Sequence, residues 1–231
     1  MMAENLRIAI CVPTSGLVKA LFTHSLANLM ASASSIKSRP GFESVALTLF
    51  MQETSVIHMN REELVKQALK WEATHVMFLD DDMYFPPEVL DIMLGRRQPF
   101  VACNYPKRGF PISFIAIRPD GKGTIRTEKD STGLEEANYA GFGVSLFEAQ
   151  IFEKTARPWF LPMFIEAADQ YTTEDNPFCE RVRQAGFKVY VDHDASKLVG
   201  HVGTHVYSWQ QWTPPPLPEK LVTVVDNTKV A

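Results

Sequence analysis

Cysteine is scarce: the 231 residues contain only Cys11, Cys103 and Cys179, with no Cys-x-x-Cys pair. Neither a disulfide framework nor a zinc knuckle is expected from so few and such scattered thiols, which read as buried or half-buried side chains. Long hydrophobic runs are also missing. The first apolar stretch, Ile8 to Val12, is far shorter than a signal core or a membrane span, and Met1-Met2-Ala3-Glu4 has no basic n-region, so the expected location is the cytoplasm, a host's if the chain is viral. Charge of one sign is not in excess: 27 Asp and Glu face 23 Lys and Arg, for a net −4, and nothing global marks a nucleic-acid or anionic-membrane binder. There is no Walker loop, no Gly-x-Gly-x-x-Gly after the first apolar run and no Gly-x-Ser-x-Gly elbow. Their absence excludes the phosphate-loop NTPase, dinucleotide-cofactor and α/β-hydrolase readings.

What is present is an ordinary globular composition, 45% apolar and 22% charged, long enough for one generous domain at roughly 100–200 residues each. Residues Leu6 to Val12 are short, apolar and β-branched, and end at Pro13-Thr14-Ser15-Gly16; Leu17 to Ala33 then reads as a helix. Ser44 to Phe50 is a second strand, and Arg61 to Trp71 a helix with Leu64, Ala68 and Trp71 on one face. His75 to Leu79 is a third strand, and Pro86-Pro87 open a helix over Glu88 to Leu94. Alternating strand and helix imply a mostly parallel sheet with helices on its faces.

The middle breaks that rhythm. Phe100 to Tyr105, Ile112 to Arg118, Gly123 to Thr127 and Ala137 to Phe147 read as short strands between Gly, Pro and Asp turns, an antiparallel insertion. Helices return at Glu148 to Thr155 and Glu174 to Ala185, the latter capped by Gly186 and followed by a strand, Phe187 to Val191. The expected organisation is a single domain over residues 1–212 and a proline-rich tail over 213–231.

Five constellations can carry chemistry. Asp80-Asp81-Asp82 closes an apolar strand; adjacent carboxylates repel, and a bound hard cation at the carboxyl edge of a sheet relieves them, the alternative being a solvated turn that caps the next helix. Thr173-Glu174-Asp175 opens a helix, offering either a cap or a general base. Gly200-His201-Val202-Gly203-Thr204-His205, with His193 nearby, offers imidazoles for a metal or phosphate, or merely surface and core histidines. Cys103-Asn104-Tyr105-Pro106-Lys107-Arg108 is a basic aromatic loop that can hold a phosphate or sugar or be an ordinary turn. Tyr139-Ala140-Gly141-Phe142-Gly143 lets backbone approach a ligand, or forms a bulge.

Taken in order over Leu6 to Trp209, these pieces resemble nucleotide-sugar-dependent glycosyltransferases of the GT-A fold, in the style of the family 2 type and of small phage-encoded members. IAICVPTSG is similar to the opening strand whose loop, here Pro13 and Thr14, holds the nucleotide base. HMNREELVKQALKWEATHVMFLDDD resembles the helix bearing a donor-site arginine, here Arg61 with Glu62 where asparagine is usual, and then the strand ending in a DxD motif. The resemblance implies that Asp80 contacts ribose or metal, that Asp82 binds a divalent ion (manganese or magnesium), and that Asp81 touches the nucleoside. It places Lys107 and Gly141 in the donor site and His201 as the last metal ligand, with His205 and His193 as substitutes. It makes Asp175 the catalytic base, Glu174 second.

The activity so implied is transfer of a sugar from a nucleoside-diphosphate sugar, a UDP-sugar foremost, to the hydroxyl of a glycan, a protein or a hydroxymethylated DNA base; Arg96-Arg97 and Lys107-Arg108 are the local cations that favour the last. Two other classes stand beside it: a nucleotidyltransferase, for which PTSGLVKALF is a poor version of the basic glycine loop, and a catalytically idle module that binds a sugar nucleotide or glycan.

Overall fold

The computed structural model describes residues 4–32 and 42–212; the proline-rich tail from Thr213 lies outside them. A seven-stranded sheet dominates, in the order β2-β1-β3-β7-β5-β10-β6. Its members are β1 (Glu4–Thr14), β2 (Phe42–Glu53), β3 (His75–Leu79), β5 (Phe100–Ala102), β6 (Leu134–Ala137), β7 (Val144–Glu148) and β10 (Val189–Asp192). β1 pairs in parallel with both β2 and β3, and β5 with β10; β7 runs antiparallel between β3 and β5, and β6 antiparallel along β10. The sheet is thus mostly parallel, and the carboxyl ends of β1, β2 and β3 share one edge.

The helices are α1 (Ala20–Ala31), α2 (Ile57–Lys70), α3 (Glu88–Gly95), α4 (Gln150–Lys154), α5 (Asp175–Gln184) and α6 (His193–Ser196). Apolar side chains fill both faces of the sheet, as expected where strands are covered by helices on both sides. One face carries a cluster of phenylalanines: Phe78, Phe142, Phe147, Phe152, Phe160 and Phe178 meet with ring centroids 4.8–6.3 Å apart in edge, tilted and stacked pairs. The three cysteines are free thiols in the interior, where burial pushes each one up from its ordinary value.

Two small antiparallel sheets complete the fold, β12-β11-β4 and β8-β9. They comprise β4 (Met83–Tyr84), β8 (Phe164–Ile165), β9 (Gln170–Tyr171), β11 (Gly200–Val202) and β12 (Val206–Tyr207). The expected antiparallel insertion is corrected here. Between Tyr105 and Thr127 the chain makes only isolated bridges, Pro106 with Phe114 and Ile117 with Thr124 and Tyr139. The polar anchor of that stretch is Asn104, whose amide donates to Ile125 O and Thr127 Oγ1 and whose Oδ1 accepts from Ala116 N. The expected strand over Ala137 to Phe147 divides into β6 and β7, because Gly141 and Gly143 carry the chain tightly past Tyr105. A Cβ on Gly141 would lie 2.4 Å from the Tyr105 hydroxyl oxygen, and one on Gly143 2.8 Å from its Cζ.

Candidate functional site

The stripe that buries α2 is also what builds the site. Arg61, Leu64, Val65 and Ala68 follow each other at helical spacing on the inward face, so Arg61 enters the core beneath the end of β3. Its Nη2 donates to Asp80 Oδ1 at 2.7 Å and its Nε to Glu174 Oε1 at 2.9 Å, while its guanidinium lies 4.9 Å from the Phe78 ring centroid. Only 1% of the arginine is exposed. Burial would strip its charge, but Asp80 and Glu174 hold its pKa above the usual arginine range. Burial likewise pushes Asp80 upward, helped by the charges of Asp82 and Glu174 and opposed by Arg61.

A cleft of about 300 Å³ opens at the carboxyl edge of β1, β2 and β3. Its lining includes a wall at the end of β1, Pro13 and Thr14, a floor of Asp80, Asp81 and Asp82 after β3, and Arg108 and His201 from later in the chain. Asn60 braces the first wall: its amide donates to Thr14 O and Thr54 O at 3.1 Å, and its Oδ1 accepts from Thr54 Oγ1 at 2.7 Å. The sequence reading missed Asn60. Its signal was the polar residue immediately before the arginine on the buried stripe, whereas Glu62 turns away to Arg157 and to the Trp159 backbone N–H.

His201 reaches the cleft because β11 pairs with β4, directly after the acidic triplet: His201 stands opposite Met83, and Val202 N donates to Asp82 O at 2.7 Å. Its Nδ1 lies 3.1 Å from Pro106 O and its Nε2 3.2 Å from Asp82 Oδ2. Since a carbonyl only accepts, Nδ1 carries a proton, and Nε2 can donate to the Asp82 carboxylate only when the ring is doubly protonated. Asp82 is opposed in its ionisation by burial, but the His201 hydrogen bond and the charges of His201 and Arg108 outweigh that and hold it below the ordinary carboxylate value. Arg108 Nη1 stands 3.2 Å from the same Oδ2.

The substitutes for His201 do not fit. His193 is buried elsewhere, between Thr127 Oγ1 and Glu135 Oε2 at 3.0 Å each, and His205 packs beside Phe110 and Tyr207 in the β11–β12 turn, outside the cleft. Lys107 and Gly141 do not line the cleft either: Lys107 is exposed with its backbone N–H on Ser113 O, and Gly141 is packed under Tyr105. Arg108, not Lys107, is the cation of that loop which enters the site. Arg96 pairs with Asp192 and Asp194, outside the cleft.

Glu174 and Asp175, at the start of α5, sit behind the floor, each 8% exposed. Tyr139 Oη donates to Asp175 Oδ2 at 2.8 Å, and Oδ1 has no hydrogen-bond partner. Burial, then the neighbouring Glu174 charge, push Asp175 up to about 6, against the pull of Thr173, Tyr139 and Arg61.

Among the described residues no group of three or more His, Cys, Asp or Glu side chains is disposed to hold a metal. The Asp82–His201 pair nonetheless fits a hard divalent ion that keeps water and takes substrate oxygens, since such ions use only one or two protein ligands. A neutral imidazole would turn a lone pair on Asp82 Oδ2, which a cation between them relieves, and the Pro106 carbonyl fixes the tautomer as ligating histidines require. A second, more apolar hollow of about 330 Å³ lies between α2 and Pro158–Leu161.

No protein-family model matches the chain, and no curated protein matches it. Among solved structures it is similar to A197 from STIV, with a TM-score of 0.57 and 16% sequence identity over 93% of this chain and 98% of that one. At that identity the likeness is one of fold: a large, mostly parallel sheet with flanking helices.

Proposed function

We propose that the chain is a metal-dependent glycosyltransferase of the GT-A type, taking its sugar from a nucleoside-diphosphate donor. The observation that carries the reading is the convergence of Asp80, Asp81, Asp82 and His201 at the carboxyl edge of β1 and β3, where open α/β sheets gather ligands. Three carboxylates repel a diphosphate unless a cation intervenes, so a floor of this charge suits a metal–diphosphate better than a free anion.

In this reading Pro13 and Thr14 flank the nucleoside, and Asp82 with His201 hold the divalent ion. That ion, when bound, neutralises charge on the departing diphosphate as a Lewis acid. Arg61 fixes Asp80 and Glu174 from below and keeps their charges compensated. Asp175 lies outside the cleft lining with Oδ1 buried, so its part as base requires the acceptor to uncover that oxygen: the acceptor oxygen bonds to the anomeric carbon, the bond from that carbon to the β-phosphate oxygen breaks, and the hydroxyl proton passes to Oδ1. A carboxyl near 6 is ionised at neutral pH yet basic enough to accept a proton in the transition state, as a general base requires. That chemistry inverts the anomeric configuration. The acceptor is a hydroxyl of a glycan, a protein or a modified base.

The test is thermal unfolding against UDP, GDP, CDP, dTDP and their sugars, in manganese and in EDTA. A donor at about 100 times its Kd adds roughly 2.7 kcal/mol, and the shift is expected only with manganese. Asp82→Ala loses that shift, while Asp175→Ala keeps it and loses transfer. A wild type indifferent to every nucleotide sinks the reading and leaves the nucleotidyltransferase and idle-module classes.

A further inference from the structure

Two nitrogen groups compete for one oxygen. Arg108 Nη1 and His201 Nε2 both lie 3.2 Å from Asp82 Oδ2, so the position a divalent ion takes against that carboxylate is already occupied by a guanidinium. Resting on the donor-site reading above, we infer that Arg108 is a tethered cation which closes Asp82 in the ligand-free protein and passes to the diphosphate when nucleotide and metal enter, so that the ion alone is excluded.

Three observations support this. Arg108 is about half exposed, against 15% for the Asp82 side chain, so the arginine reaches in from the rim and has solvent to swing through. Its stem lies across the β11–β12 turn: a Cβ on Gly203 would be 3.1 Å from Arg108 Cδ, so the absence of a side chain there gives the arm its track. The loop that bears it is fastened at both sides, by the Pro106 carbonyl to His201 and by the Phe110 ring to Tyr207 at 5.3 Å. The arm therefore moves without moving the imidazole. A guanidinium and a divalent ion on one carboxylate oxygen repel, whereas a guanidinium beside a metal-bound diphosphate finds the planar oxygen pair that suits it.

The experiment measures Mn²⁺ binding without nucleotide, from the electron paramagnetic resonance of free ion, and UDP binding at saturating Mn²⁺. Wild type, Arg108→Gln, Arg108→Lys and Asp82→Asn are compared. Because Arg108 is exposed, none of its substitutions threatens folding. Arg108→Gln should bind Mn²⁺ alone about tenfold more tightly than wild type, and UDP with Mn²⁺ about tenfold more weakly, which is one exposed charged contact in each direction. Arg108→Lys restores both, and Asp82→Asn binds Mn²⁺ poorly with or without UDP. Equal Mn²⁺ affinity in wild type and Arg108→Gln overturns the latch while leaving the donor site intact. Unchanged UDP affinity in Arg108→Gln overturns its transfer to the diphosphate. Failure of UDP and every other nucleoside diphosphate to bind the wild type with Mn²⁺ overturns the donor-site reading, and the latch with it.

Discussion

Arg61 joins Asp80 and Glu174 from inside the protein, its Nη2 and Nε reaching carboxylates 19 and 113 positions away along the chain. The first aspartate of the triplet therefore meets the cleft with one oxygen already engaged, and in the function proposed above it is Asp82 and His201 that would hold a cation. A buried charge network of this kind is weak evidence for stability as a whole, yet removing one partner strands the others.

Arg61→Leu leaves two carboxylates without their cation in the core and should lower stability by about 3–5 kcal/mol. Urea unfolding at pH 7.5 reads this directly, and the deficit shrinks at pH 4, where the stranded carboxylates take up protons. A loss below about 1 kcal/mol would show that the cleft's water already screens them.

Asp175 makes stability depend on pH with a definite sign. Its carboxyl sits near 6 when folded against 3.8 when free, so the folded state binds the extra proton between those values. Its contribution is fully present below about pH 4 and is lost as pH rises through about 6. Asp175→Asn should be more stable than wild type at pH 8, by up to about 3 kcal/mol, and equal to it below pH 4. Transfer by the wild type should rise with pH through the same window, measured at saturating donor.

Gly141→Ala places a methyl group against the Tyr105 hydroxyl, and Tyr105 stands edge-on to His201 with ring centroids 5.5 Å apart. The overpacking should cost about 1–3 kcal/mol and displace the imidazole enough to weaken manganese-dependent donor binding. Tyr105→Phe in the Gly141→Ala background removes the clashing oxygen and recovers part of the thermal stability. No recovery would locate the strain in Ile115 instead, whose side chain is the other near neighbour.

Histidines separate by role. His201→Ala should lose the manganese-dependent shift with little change in Tm, whereas His193→Ala should lower Tm, because the interior Thr127 hydroxyl keeps its hydrogen bond from Asn104 but loses the one with His193, and keep the shift. His205→Ala should change neither.

Much of the parallel half was legible: β3 and the start of α3 fall where the apolar run and Pro86-Pro87 put them, and Gly186 closes α5 at φ +88°. Those signals are local. The middle was misread because its apolar residues alternate as strands do, while their backbone partners are side chains such as Asn104. Two-residue strands like β4 and β12 have no pattern to detect at all; their pairing is a property of the finished fold. The acidic triplet, His201 and the Lys107-Arg108 pair were visible as residues, but which of the two cations enters the cleft was not, and Asn60 was missed because it braces backbone.

Asp82 and His201 are 119 positions apart, and β11 joins the site only by pairing with β4. On the ribosome, therefore, the acidic triplet emerges long before anything can hold it in register. A nascent chain that has not yet presented Gly200 to Val202 has its first three strands but lacks His201 beside Asp82. Long-range closures of this kind form late and set the pace of folding. The site is thus assembled only once β11 has been made and has paired with β4, which is what brings His201 beside Asp82.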